Sequence, residues 1–286
     1  MSSHARLDEP TGELLFFNYS KHAHFMHYGV VGADNRLRHY VPIPLPGPRL
    51  PHDMAFTENY AILNDLPVFW DEEMLERDIH AVRLHKDMPS RFAVIPRLGQ
   101  PEDIRWFEAD PTYVLHWLNA WEEGDEVVLD GYFQEHPVPG HYPDAPPGFE
   151  RMMAYLDQSL LMPRLHRWRF NIRTGETREE RLDDQTLEFG TINQRHAGRS
   201  YRYGYSAVPK KGWFLFTGFT KHDVETGDSW TIDLGKNRYG SEAGFAPRVG
   251  GTAEDDGYLV SFVTDLEEDR SEAILIDASD IEGGPV

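Results

Sequence analysis

The stretch YVLHWLNAW, Tyr113 to Trp121, runs through EEGD into EVVLDGYF, Glu126 to Phe133, and reads as strand, tight turn, strand. Aromatic and β-branched residues crowd both runs, and Glu122-Glu123-Gly124-Asp125 between them is turn chemistry, so the pair is predicted to be an antiparallel hairpin. The same unit recurs outward in both directions. Toward the N-terminus lie LLFFNY from Leu14, FMHYGVV from Phe25, MAFTENYAIL from Met54 and FAVIPR from Phe92. Toward the C-terminus lie RWRFNI from Arg167, YRYGYSAV from Tyr201, WFLFTGF from Trp213, SWTIDL from Ser229, YLVSFVTD from Tyr258 and AILIDA from Ala273. Turn signals such as GAD, PGP, GQP, TGE, ETGD and DDG separate them. Many short strands at regular spacing make an all-β fold: a sandwich, a barrel or a propeller. At roughly 40–50 residues per four-stranded blade, a propeller of this length has about five or six blades.

Two segments break the pattern with helical spacing, DEEMLERDI from Asp71 and GFERMMAYLDQSLLM from Gly148. The second reads as a helix capping a sheet, with docking on a membrane surface as the alternative. The Pro/Gly-rich stretch PVPGHYPDAPPG from Pro137 reads as a surface loop, and nothing divides the chain, so residues 1–286 are expected to form one domain.

Charge and composition exclude several functions. Lys and Arg number 28 against 48 Asp and Glu, a formal charge of −20, which argues against nucleic acid as a partner. With no cysteine there is no disulfide, no iron–sulfur cluster and no thiolate zinc site, so a metal must be held by the 14 histidines or by carboxylates. No window approaches ~18 apolar residues and the start MSSHARLDEP is unlike a signal peptide, which predicts a soluble, cytoplasmic chain without a transmembrane segment. Motifs of the GxSxG, GxxxxGK[ST], HExxH and strand-linked GxGxxG types are absent. The acid pairs Glu122–Glu123, Asp255–Asp256 and Glu267–Glu268 fall at turns and read as solvated.

His52 opens the apolar run Pro51–Tyr60, and His116 lies in a run with two tryptophans. Taken singly, each reads as a hydrogen-bonded core histidine. The intervals from His4 to His52 and from His52 to His116, 48 and 64 residues, approach one blade plus its loops. Innermost propeller strands converge on an axis, where one histidine per blade could gather imidazoles suited to Fe, Zn or Cu. Carboxylates that accept the outer ring N–H groups complete such sites. Glu188 in LEFG and Glu242 in SEAG have that chemistry, although each alone reads as a surface glutamate. A competing site is Lys21–His27, with His22 and His24 on one face of a strand.

The stretches PHDMAFTENY, HWLNAWEEGDEVVLDG, LEFGTINQRHAGRSYRYGY from Leu187 and EDDGYLVSFVTD from Glu254 together resemble the carotenoid cleavage oxygenase family, which includes retinoid isomerohydrolase and the lignostilbene dioxygenases. The resemblance runs along the whole chain in the family's order. It implies a seven-bladed β-propeller with Fe(II) on its axis, held by four histidines, and a reaction in which O2 splits a conjugated C=C bond of an apolar substrate into two carbonyl products. Carried onto this chain, His4 in Ser3–Leu14 matches the family's AHP-type segment before D-x-x-TGEL, with Ala5-Arg6 departing from it. His52 matches the HDFAFTENY ligand and His116 the HxxNAWEE ligand. Glu188 matches the supporting glutamate of EFPxIN, with Gly190 for proline, and is expected to hold His116. Glu242 matches the SEP-type glutamate, with Ala243 for proline, and is expected to support a fourth ligand. The family's opening blades and its HGxW-like segment with the fourth histidine have no counterpart, so the resemblance implies an incomplete propeller truncated at both ends. The implied activity is an iron(II)-dependent dioxygenase of carotenoids or apocarotenoids. Lignostilbene-type cleavage, a catalytically inactive fragment, and an unrelated all-β binding module are the alternatives, and peripheral contact with a membrane is compatible with the first.

Overall fold

The computed structural model describes residues 4–78, 82–138 and 160–286. Contacts divide the chain into two compact units, one of Met1–Val138, His166–Arg181 and Ala197–Ser200, the other of Pro139–Leu165, Leu182–His196 and Tyr201–Val286.

The first unit holds three four-stranded antiparallel sheets. Strands β1 (Arg6–Asp8), β2 (Glu13–Tyr19), β3 (Met26–Val31) and β4 (Leu37–Ile43) form the first in chain order. The second uses β5 (Ala55–Phe56) and β6 (Tyr60–Asp65). A two-stranded ribbon of β7 (Val68–Trp70) and β8 (Val82–Leu84), with the helix α1 (Glu72–Glu76) between them, intervenes before β9 (Ser90–Pro96) and β10 (Arg105–Ala109) complete it in the order β10-β9-β6-β5. Strands β11 (Trp117–Glu123), β12 (Glu126–Phe133), β13 (Arg164–Asn171) and β14 (Thr177–Arg181) form the third, again in chain order. Asp71 caps α1 by accepting from the Met74 amide at 3.1 Å. Alternation along the strands sends Leu15 and Phe17 of β2 inward. The core of the unit gathers Phe92, Phe107, Trp117, Trp168 and Phe170, with the Trp117 and Trp168 rings edge to face at 5.4 Å.

In the second unit, β15 (Glu188–Ile192), β16 (Tyr203–Pro209), β17 (Phe216–Asp223) and β18 (Ser229–Asp233) form a further meander. Strands β19 (Arg238–Gly240) and β20 (Gly244–Pro247) pair in succession along one side of β21 (Gly257–Asp265), and β22 (Arg270–Asp277) covers the other. A bridge from β17 to β19 joins the two sets into one eight-stranded sheet. Its own core is built on Tyr205, Phe219, Leu259, Val263 and Ile276. The consecutive four-stranded meander is the blade unit of propellers, so the fold class is all-β and the strand order that of a stretch of β-propeller.

Three local expectations change. The run MAFTENYAIL divides into β5 and β6 around a turn in which the Thr57 amide donates to the Tyr60 carbonyl at 2.8 Å. The run from Tyr113 becomes a strand only at Trp117, because the Thr112 amide donates to the Ser90 hydroxyl at 3.0 Å and the Tyr113 carbonyl accepts from the Gln134 side chain at 3.2 Å instead of joining a ladder. Consequently neither His52 nor His116 lies inside a strand. His22 and His24 sit exposed in the connection between β2 and β3, not on one strand face. The helix expected from Gly148 lies outside the described residues for most of its length, as does the loop from Pro137. No helix among the described residues is long and apolar enough to cross a membrane.

Candidate metal centre

His4, His52 and His116 come together. Each offers one ring nitrogen, and these atoms all lie within 4.8 Å of one another. The Nε2 atoms of His4 and His52 are 3.1 Å apart. The ring centroids are 4.7 Å apart for His4 and His52, 4.9 Å for His4 and His116, and 5.1 Å for His52 and His116. All three precede the first residue of a strand: His4 before β1, His52 before β5 and His116 before β11. Irregular backbone just outside a sheet can aim a side chain that the two-residue alternation of a strand would fix.

What holds these short segments is an ion pair between a half-buried Arg6 and a buried Asp53. The Asp53 side chain is wholly buried, and its carboxylate accepts from Arg6 and from the backbone amides of Met54, at 2.7 Å, and Trp117, at 3.0 Å. Arg6 also donates to the carbonyls of Met54, at 3.0 Å, and Trp117, at 3.1 Å. Tyr113 adds a second tie by donating to the Leu50 carbonyl at 2.8 Å. Further out, the wholly buried Asp8 takes Arg97 at 2.7 Å and Arg199 and Thr11 at 2.8 Å. Burial alone would raise the Asp8 carboxyl, and the donations from Arg199, Arg97 and Thr11 outweigh it and hold it below the usual range. Asn119 of β11 receives the Gly198 amide at 3.0 Å and donates to the Arg199 carbonyl at 2.9 Å, which fastens the Ala197–Ser200 segment to the same frame.

The electrostatics suit a cation. Burial, reinforced by His116 and His4 and opposed by Asp53, lowers His52 to about 4, so its imidazole is neutral at ordinary pH and keeps a lone pair for a ligand. Among the described residues no other set of three metal-binding side chains assembles. Adjacent nitrogens about 2.05 Å from one ion lie about 2.9–3.4 Å apart in octahedral or tetrahedral arrangement, which brackets the separation of His4 and His52. A donor set of three imidazoles fits iron, zinc, cobalt or copper.

Glu188 and Glu242 belong to the second unit. Glu188 is buried at the start of β15, where its own carboxylate accepts the Phe189 amide at 2.5 Å. Glu242 is exposed in the connection between β19 and β20. Glu122 is not the solvated turn residue its position suggested, since it accepts from Thr57 at 2.6 Å and from the Asn59 amide at 2.8 Å, tying β11 to the turn after β5. The pair Asp255–Asp256 is also engaged, Asp255 with Lys221 at 2.6 Å and Asp256 with Arg248 at 2.7 Å, and Glu267 accepts from Asn237 at 2.8 Å. Trp117 and Trp121 are buried packing residues. Arg6, Asp53 and Asp8 went unnoticed in the sequence, although a charge next to an apolar run signals a buried partner.

Several curated proteins and solved structures are similar to this chain. Carotenoid 9,10(9',10')-cleavage dioxygenase 1 of Pisum sativum is 34% identical over 305 residues, covering 100% of this chain and 54% of its own length. Isoeugenol monooxygenase of Pseudomonas putida is 29% identical, with 100% of this chain and 61% of that protein covered. Among solved structures, the lignostilbene dioxygenase of Pseudomonas brassicacearum matches with a TM-score of 0.85 at 27% identity, over 99% of this chain and 62% of that one. The chain therefore spans somewhat more than half the length of the relatives it matches. The family described as RPE65, retinal pigment epithelial membrane protein, matches residues 1–286. With the strand order, the fold match and the motifs in agreement, this chain belongs to the RPE65 family of carotenoid cleavage oxygenases.

Proposed function

We propose that this chain carries the metal-binding part of an iron(II)-dependent oxygenase that cleaves a conjugated C=C bond of a carotenoid or apocarotenoid. The observation that carries the reading is the convergence of His4, His52 and His116 from three distant segments. Bound there, iron would supply the capacity to bind and activate O2. The chain's own part is to present three imidazoles and to keep their segments fixed through Asp53 and Arg6. The overall reaction balances without an external reductant: the C=C bond is lost, and each former alkene carbon takes one oxygen atom of O2 as a carbonyl.

The pea and bean relatives at 34% identity carry carotenoid cleavage in their names, which supports the polyene substrate. A phenolic stilbene is the second reading, supported by the similarity to lignostilbene dioxygenase. The test is anaerobic reconstitution with Fe(II), followed by metal analysis of the chain and of a His52→Ala, His116→Ala double variant. About one iron per chain, lost in the double variant, is expected. Aerobic incubation with an apocarotenal and with a hydroxystilbene then separates the two substrates by their aldehyde products. A chain that binds iron yet cleaves neither is an inactive remnant, and one that binds no iron overturns the reading.

A further inference from the structure

The ion pair between Arg6 and Asp53 stands two residues after His4 and one residue after His52, and both partners bond the backbone of Trp117, one residue after His116. One pair therefore touches all three ligand-bearing segments. The Asp53 carboxylate collects the amides of Met54 and Trp117, and the Arg6 fork donates to the carbonyls of the same two residues. Both backbone groups of Trp117 are thereby fixed, which sets the direction in which His116 leaves the chain. On the far side, Asn64 of β6 donates to the Asp53 carbonyl at 2.8 Å, anchoring the pair to the second sheet.

We propose that Arg6 and Asp53 are positioning residues that set the mutual geometry of the three histidines, a role that rests on the metal reading above. Only guanidinium has the planar array of donors to serve a carboxylate and two carbonyls at once; an ammonium at the end of a lysine chain delivers a point charge without the fork. Asparagine at position 53 keeps the shape of aspartate but loses its charge and half of its acceptor capacity.

The experiment titrates Co(II) into the metal-free chain, following both the binding isotherm and the d–d absorption bands, which report ligand geometry. Arg6→Lys and Asp53→Asn should each weaken binding about ten- to hundredfold, as loss of outer partners of metal ligands does elsewhere, and shift the bands. Arg167→Lys is the control: its guanidinium is more deeply buried than that of Arg6 and closes on Asp130, at 2.8 and 2.9 Å. It should change the melting temperature while leaving affinity and spectrum as they are. Wild-type affinity and bands in Arg6→Lys overturn the proposal. If neither variant folds, amide hydrogen exchange in the wild-type chain decides, since the Met54 and Trp117 amides should exchange more slowly once Co(II) is bound, and unchanged exchange overturns the role. A wild-type chain that takes up no metal overturns the metal reading and this role together, whereas normal uptake by Arg6→Lys overturns this role alone.

Discussion

Trp117 shows how much one side chain can carry at this site. Its indole is 2% exposed, packed on Phe92 and Trp168, and its ring nitrogen donates to the Asp53 carbonyl at 3.4 Å. Trp117→Ala should cost about 3–5 kcal/mol in urea unfolding, because the cavity forms against a close-packed sheet that can collapse only in part. His52 and His116 were legible as candidates from their neighbours and spacing, and His4 from the motif that follows it. The Arg6–Asp53 and Asp8 networks were not, since the bonds that matter join residues 47, 89 and 191 positions apart and leave no periodic trace.

At the scale of elements, β12 kept the bounds its pattern predicted, whereas the edge strands β4, β10 and β14 of the first unit were missed. β14, TREER, is half-exposed to exposed and charged along its length, so no apolar alternation marks it. Charge on a sheet edge also discourages pairing with another chain, which is why such strands escape a hydrophobic reading. Close strand approach in the second unit gives a sharper test. At Gly218 of β17 an added Cβ would collide with the carbonyl oxygen of Ile232 on the paired β18. Backbone cannot yield there as a flexible side chain could, so Gly218→Ala should release β18. Hydrogen exchange should report it as lost protection in Ser229–Asp233 while β21 and β22 stay protected.

For the molecule as a whole, acid sensitivity follows from buried imidazole. His222 on β17 is buried with Asp183 at 3.4 Å, and burial outweighs that carboxylate and pushes the imidazole down to about 4. An unfolded histidine titrates near 6.5, so between there and about 4 the unfolded chain takes up a proton that the folded chain refuses. The contribution is fully present above pH 6.5 and falls as pH drops through that window, by up to about 3 kcal/mol. Urea midpoints at pH 7, 6 and 5 should fall in that order, and His222→Gln should flatten the trend. His52 adds a slope of the same sign, so the variant keeps part of it. The all-β class and blade-like order were legible because turn chemistry punctuates the strands. The division into two compact units was not, because the short Ala197–Ser200 segment joins the first unit from within sequence that otherwise belongs to the second.

The convergence of His4, His52 and His116 also has a topological meaning. An ion shared by these side chains would close loops of 48 and 64 residues in a chain that has no cysteine with which to make a covalent link. By the chain-entropy estimate used for disulfides, loops of that size each remove conformational freedom from the unfolded chain worth about 4 kcal/mol. The same atoms that make a reaction centre would then serve as a removable crosslink, and a chelator would act on this protein much as a reducing agent acts on a disulfide-stapled one.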